Sequence, residues 1–311
     1  MTAQKSIKET ELFSTEKILQ VMCWSILIVM ILFSNQIRLG IYQGATIAVT
    51  NVLPTIFPFL ILSDFWIYVY SGKTNRYIDN IFQKLFGISA NALPAFVLGL
   101  LFGFPIGVKA AADLYAKKSL SKEETEKIIG VINNPSAAYT ISGIGLGLYR
   151  SFKIGLILYF SVTISSILIA KFSRISGEKS KKTYQNSEQT FNIAHSIKNA
   201  GSNSIAILSY IVFFFAINSL VSAITRDDLI STCTSIFLEI SGAVTRIINL
   251  QTVNQRIKLS LTAFALGFSG LSVHLQAFSF LPKEIRKSRY FKAKFTQGIL
   301  SCFVTFLLCR Q

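Results

Sequence analysis

The 311 residues are 51% hydrophobic and only 15% charged, with 26 phenylalanines, far from the roughly 25% charge of average soluble chains, so an ordinary soluble domain is excluded. The formal net charge of +16 does not indicate nucleic acid, because the basic residues gather in short loops between apolar runs, the pattern of a polytopic membrane protein with Lys/Arg-rich cytoplasmic loops. Cys23, Cys233, Cys302 and Cys309 lack paired spacing, so neither a metal site nor a disulfide framework is indicated.

Residues 1–17 are polar and mixed in sign and read as a cytoplasmic N-terminal segment. Crossing about 30 Å of hydrocarbon takes roughly 17 to 25 apolar residues, and charge-free runs of that order lie at 18–37, 39–63, 85–108, 128–149, 199–225 and 259–282. Shorter candidates are 154–170 and 295–309. The first run lacks a small-x-small cleavage site, so it is expected to be a retained helix. Roughly seven to nine membrane-embedded helices are expected, some of them half-helices. Three basic clusters should face the cytoplasm: Lys117, Lys118, Lys122 and Lys127; then Lys171, Arg174, Lys179, Lys181 and Lys182; then Lys283, Arg286, Lys287, Arg289, Lys292 and Lys294.

The polar stretch 171–190 has too little apolar surface to pack. It divides a first membrane half, 18–170, from a second, 191–311. Phe191, Ala194 and Ile197 recur at helical spacing, as in an interfacial turn entering the next span. An internal echo supports two related halves: Ala95-Phe96-Val97-Leu98-Gly99 matches Ala263-Phe264-Ala265-Leu266-Gly267, and Phe86-Gly87-Ile88-Ser89-Ala90 and Leu238-Glu239-Ile240-Ser241-Gly242-Ala243 precede them in the same order. If 199–225 and 259–282 both cross, 229–255 is best read as a re-entrant hairpin. An inverted repeat would need an odd number of crossings between corresponding loops, which the sequence leaves open. The expected fold is an all-α polytopic membrane helical bundle with two related halves containing broken or re-entrant helices.

Chemistry-bearing residues cluster where apolar runs are interrupted. Gly103-Phe104-Pro105-Ile106-Gly107-Val108-Lys109 and Gly267-Phe268-Ser269-Gly270-Leu271-Ser272-Val273-His274 are such interruptions. Helix breaks at membrane depth survive only against protein or a wet cavity, and a pair of them in two halves points to a substrate site near the midplane. Gly103, Pro105 and Gly107 would free backbone amides for an anion, as at a helix N-terminus. Lys109 would meet it, unless it snorkels or pairs with Asp113 at i+4. Asn133, Asn134 and Ser136 flank Pro135 inside a charge-free run and should face the cavity, the alternative being a polar helix-helix contact. Glu239, seven residues before Arg246, is a proton or cation coupling candidate unless the two neutralise each other. Ser269, His274 and Gln276 complete the second interruption, where a histidine could titrate near neutral pH or simply pack. Asp64 follows the kinking pair Pro54 and Pro58 and is expected at the interface beside Trp66, Tyr68 and Tyr70.

These interruptions, with Val52-Leu53-Pro54-Thr55-Ile56-Phe57-Pro58-Phe59 and Leu275-Gln276, make the chain from about residue 41 onward resemble the sporulation integral membrane proteins of the YlbJ type. These belong to a gate-domain or nucleoside-recognition superfamily. The resemblance implies a membrane protein that moves dipicolinate across the outer forespore membrane. The leading expectation is a transporter of a small anionic metabolite in the cell membrane, not an enzyme. It would need no cofactor, and no phosphate-binding Gly-x-x-x-x-Gly-Lys loop occurs. The partners expected are the substrate and the lipid bilayer, with homo-oligomer formation left open and no nucleic acid. A membrane enzyme, a scaffold subunit of an envelope complex and a nucleoside-type transporter are the alternatives.

Overall fold

The computed structural model describes residues 2–70, 76–173 and 191–309, with side chains from residue 16 onward. Most of the expected polar linker, and with it Arg174, Lys179, Lys181 and Lys182, lies outside the described residues. Helix α1 (Thr2–Leu32) gives way at Phe33 to α2 (Ser34–Ile47), which runs through a π turn (Ala48–Val52) into α3 (Leu53–Tyr70). The run 18–37 is therefore not one helix, and 39–63 is part of a continuous 37-residue span, Ser34–Tyr70. Side chains of α1 from Ile18 to Leu32 are largely exposed, as a face covered by lipid would be.

The run 85–108 is not a single crossing. Helix α4 (Arg76–Phe86) and α5 (Leu93–Leu101), joined through a 3-10 turn (Ala90–Ala92), meet at 92°. The chain then reverses at Gly103-Phe104-Pro105 into α6 (Ile106–Ala116). The reversal brings α6 back across α5: a Cβ on Gly107 would lie 2.6 Å from the Gly99 Cα. Helix α7 (Lys122–Ile132) starts with a complete capping box, Ser121 accepting from the Glu124 amide and Glu124 from the Ser121 amide, which satisfies two orphan donors at once. The other Glu124 oxygen accepts from the Ser89 amide at 2.7 Å, pinning the α4–α5 bend to α7. A break at residues 133–137 separates α7 from a π-helical segment (Ala138–Leu148), and α8 (Phe152–Phe172) follows.

The second half runs α9 (Ile193–Thr225), α10 (Asp228–Leu238), α11 (Ile240–Asn249), α12 (Gln255–Phe268), α13 (Gly270–Ser279) and α14 (Lys287–Leu308). Asn192, Asp227, Asn254 and Glu239 start their helices as side-chain N-caps, the residue types expected there apart from glutamate. Helices α10 and α11 pack on each other across the break at Glu239, a hairpin within the expected run 229–255. By contrast, α12 and α13 together form a 25-residue span.

Five described helices are long and apolar enough to cross a membrane, or six if the bent α4–α5 pair counts as one. The remaining apolar elements are half-helices: α6, the π segment, α10 and α11. Helix α9 packs along α2 and α3, and α14 along α12, α8 and α7. A hydrophobic cluster of Ile144, Leu158, Val162, Ile240, Val244, Ala263, Leu266 and Val273 joins the two halves. The molecule is an all-α polytopic membrane bundle.

Candidate functional site

Each half brings the tip of a folded-back helix pair against the break of an interrupted span. In the first half, the tip between α5 and α6 rests on residues 133–137: the Phe104 amide donates to the Asn134 carbonyl at 2.8 Å. Gly103 sits at φ +77°, and a Cβ there would meet the Ser136 nitrogen at 2.4 Å and the Asn134 carbonyl oxygen at 2.8 Å. Only glycine allows both the left-handed backbone and this approach. In the second half, Gly270 at φ +72° follows Ser269 at φ +79°, and a Cβ on Gly270 would stand 3.2 Å from the Leu238 carbonyl oxygen and 3.3 Å from the Glu239 nitrogen.

The first junction is filled by protein. Asn133 and Asn134 are buried because Pro135 ends α7 just after them and leaves their polar groups to be satisfied from elsewhere. Helix α14 does this in part, while the Asn134 amide donates to the Val131 carbonyl and Asn133 Oδ1 is left without a partner. Lys294 donates to the Asn133 carbonyl at 2.8 Å and to Gln297 Oε1 at 2.9 Å. The Gln297 amide donates to Asn134 Oδ1 at 2.7 Å and to the Val162 carbonyl at 3.1 Å. The Asn133 amide donates to the Tyr290 hydroxyl at 2.6 Å, and that hydroxyl lies 2.8 Å from His274 Nδ1. Ser136 accepts from the Tyr139 amide and caps the π segment. Of the two readings open from sequence, the polar helix-helix contact is the one seen.

Lys109 is likewise engaged. Its ammonium is shared between Asp64 of α3 and Asp113 of its own helix, the latter at 2.8 Å. The alternative of an i+4 pair with Asp113 is therefore seen, joined by a second acid. Asp64, expected at the interface, is instead turned onto α6. Gly107 serves the α5–α6 crossing and Pro105 the tip. In the second interruption, the Ser269 hydroxyl donates to the Leu266 carbonyl at 3.1 Å, and Gln276 donates to Ser272 Oγ at 3.2 Å. His274 packs between the rings of Phe268, Tyr290 and Phe291.

The second junction opens onto a cavity of about 310 Å³ between α2, α9 and α11. Gln43, Asn218, Ser219, Ser241 and Arg246 give it polar walls, and Gly242 part of its floor. Arg246 donates to Ser222 Oγ at 2.6 Å. Glu239 Oε2 accepts from the Gly242 amide at 2.7 Å. Neither Glu239 nor Arg246 takes part in the ion pairs seen, so they do not neutralise each other. Tyr139 links the junctions, its hydroxyl 3.2 Å from Ser241 Oγ and its ring 6.4 Å from that of Phe104.

A curated protein, the sporulation integral membrane protein YlbJ of Bacillus subtilis (strain 168), matches at 22% identity over 303 residues, 83% of this chain and 74% of that protein. The chain is a relative of YlbJ. The apolar helices support an integral membrane protein, related to one whose name associates it with sporulation. No family model matches the chain, and no solved structure does either.

Sequence reasoning missed the α14 side chains and most of the cavity wall. Lys294 reads as the end of a cytoplasmic basic loop, yet it lies within α14 and is fully buried. Lys127, placed in the first basic loop, is also buried, its ammonium on the Phe86 carbonyl. The signal for α14 was there: Tyr290, Lys294, Gln297, Ser301 and Thr305 fall on one helical face and all are buried.

Proposed function

We propose that this membrane protein is a transporter of a small anionic metabolite, that the cavity at the second junction is its substrate chamber, and that Arg246 anchors the anion. The carrying observation is a cavity of mixed lining, with Ile47 and Phe215 beside Gln43, Asn218 and Ser241, next to the helix break at Glu239, that holds a guanidinium without an acidic partner. Its volume of about 310 Å³ is at the small end of ligand pockets, roughly 300 to 1,000 Å³. A guanidinium offers two parallel donors to a carboxylate, and the amide and hydroxyl walls would take the remaining polar atoms. Interrupted helices meeting at membrane depth are how secondary transporters build substrate sites. The resemblance to the YlbJ type makes dipicolinate, a planar dicarboxylate, the first substrate to test.

The test is uptake of labelled dipicolinate and other small carboxylates by purified protein in proteoliposomes. Wild type is expected to accumulate the anion. Arg246→Gln should lower apparent affinity on the order of ten- to hundred-fold, since a hydrogen bond to a charged group contributes about 1.5 to 3 kcal/mol. Arg246→Lys, a point charge in place of a fork, should keep part of it. Uptake of no anion by well-folded protein would leave the enzyme or scaffold readings.

A further inference from the structure

The chamber holds a basic group, and directly behind its floor lies an acidic one. Glu239 is buried at 3% exposure, at the break between α10 and α11. A Cβ built on Gly242, which lines the chamber, would stand 3.0 Å from Asn218 Nδ2 and 3.5 Å from Glu239 Oε2. The carboxylate therefore lies in contact distance of the residue that lines the chamber, without lining it itself. The donor that reaches it is neutral, the Gly242 amide.

No charged group faces Glu239 from the elements around it. The π segment presents Tyr139, whose hydroxyl is on Ser241. Arg246, on the same helix, is turned to Ser222. Lys258 of α12 is bound to the Ile248 carbonyl at 2.7 Å. Helix α10 packs the buried hydroxyls of Ser231, Thr232 and Ser235, with Asp227 and Asp228 at its far end. Helix α9 presents Asn218, and the α12–α13 break presents backbone at Gly270.

We propose that Glu239 carries a coupling proton, so that each anion entering the chamber is accompanied by a proton taken up on the Glu239 carboxylate. The argument rests on the transport reading above. Two negative charges in and directly behind one partly enclosed site disfavour each other. An anion in the chamber therefore favours the protonated acid, and a protonated Glu239 favours the anion, by the same factor. That reciprocity makes the pair move together. On the receiving side, departure of the anion restores the charged form and the carboxyl releases its proton. Mass and charge balance without any other reactant: one carboxylate gains and later loses one proton.

The test uses proteoliposomes loaded with a pH-reporting dye and supplied with labelled dipicolinate. Wild type should accumulate the anion several-fold when the outside is acidic, with a matching fall in luminal pH, and should also exchange labelled for unlabelled dipicolinate at equal pH on both sides. Glu239→Gln, which mimics the protonated acid, should keep that exchange while losing pH-driven accumulation. Glu239→Asp should keep both at a lower rate. Accumulation by wild type that ignores the pH gradient, or follows a sodium gradient instead, overturns the proposal however the variants fold. So does pH-driven accumulation by Glu239→Gln at the wild-type level. Absence of exchange by wild type removes the transport reading and the coupling with it, whereas exchange without proton movement removes the coupling alone.

Discussion

The two junctions are made from the same parts, a folded-back helix tip set against the break of an interrupted span, and they are finished differently. At the first, α14 lies alongside and its Lys294, Gln297 and Tyr290 occupy the polar groups that Asn133 and Asn134 expose. At the second, a cavity between α2, α9 and α11 adjoins the break at Glu239. The difference teaches where a cation can act on a ligand. Lys294 holds backbone and side-chain carbonyls of its own chain, and Lys109 holds two carboxylates. Arg246 is tied only to a serine hydroxyl, which an anion can outbid.

The largest effect expected from breaking this comparison is at the first tip. Gly103→Ala forces a Cβ to within 2.4 Å of the Ser136 nitrogen in a left-handed conformation. The strain of about 1 to 3 kcal/mol and overpacking of a similar order should abolish recovery of folded protein in detergent, as read by size-exclusion chromatography. Next, Gln297→Leu orphans Asn134 Oδ1 and one Lys294 proton at about 1 to 3 kcal/mol for each buried group, so Tm should fall clearly. Asn134→Leu should do the same, since it leaves the Gln297 amide without Asn134 Oδ1. At the second junction Gly270→Ala meets its neighbours only at 3.2 to 3.3 Å and should cost little beyond the left-handed backbone, about 1 to 2 kcal/mol. Arg246→Gln gives up one partly buried charge-assisted bond to a hydroxyl, at most about 1.5 to 3 kcal/mol and less where the glutamine amide still reaches Ser222, while weakening anion binding.

The positions of the breaks were legible in the sequence because Gly and Pro inside charge-free runs have few other uses. The breaks at Gly103-Phe104-Pro105, Asn133-Asn134-Pro135 and Ser269-Gly270 are present, whereas the one at Glu239, in a stretch read only as a hairpin, carries no Gly or Pro to announce it. Which breaks meet was not legible, since that depends on tertiary contact. The pentapeptide echo aligns α5 with α12, yet α5 turns back at Gly103 whereas α12 continues into α13 as one span. By geometry the folded-back pair α5–α6 corresponds to α10–α11, and the α7 break to the α12–α13 break. The partner of Lys109, Asp64, is 45 residues away, beyond any local pattern. Lys294 was hidden by its neighbours: a lysine closing a run of basic residues reads as loop until the helical stripe it shares with Gln297 and Ser301 is followed inward.

The central claim, that an anion occupies the second junction and not the first, is tested most directly by thiol labelling of two single-cysteine proteins, Ser219→Cys in the chamber wall and Ser136→Cys at the first break, in a background with the four native cysteines replaced by serine. Dipicolinate is expected to slow labelling at position 219 several-fold and to leave position 136 unchanged. Protection at 136 with none at 219 would contradict the account and return the anion to the junction that α14 fills.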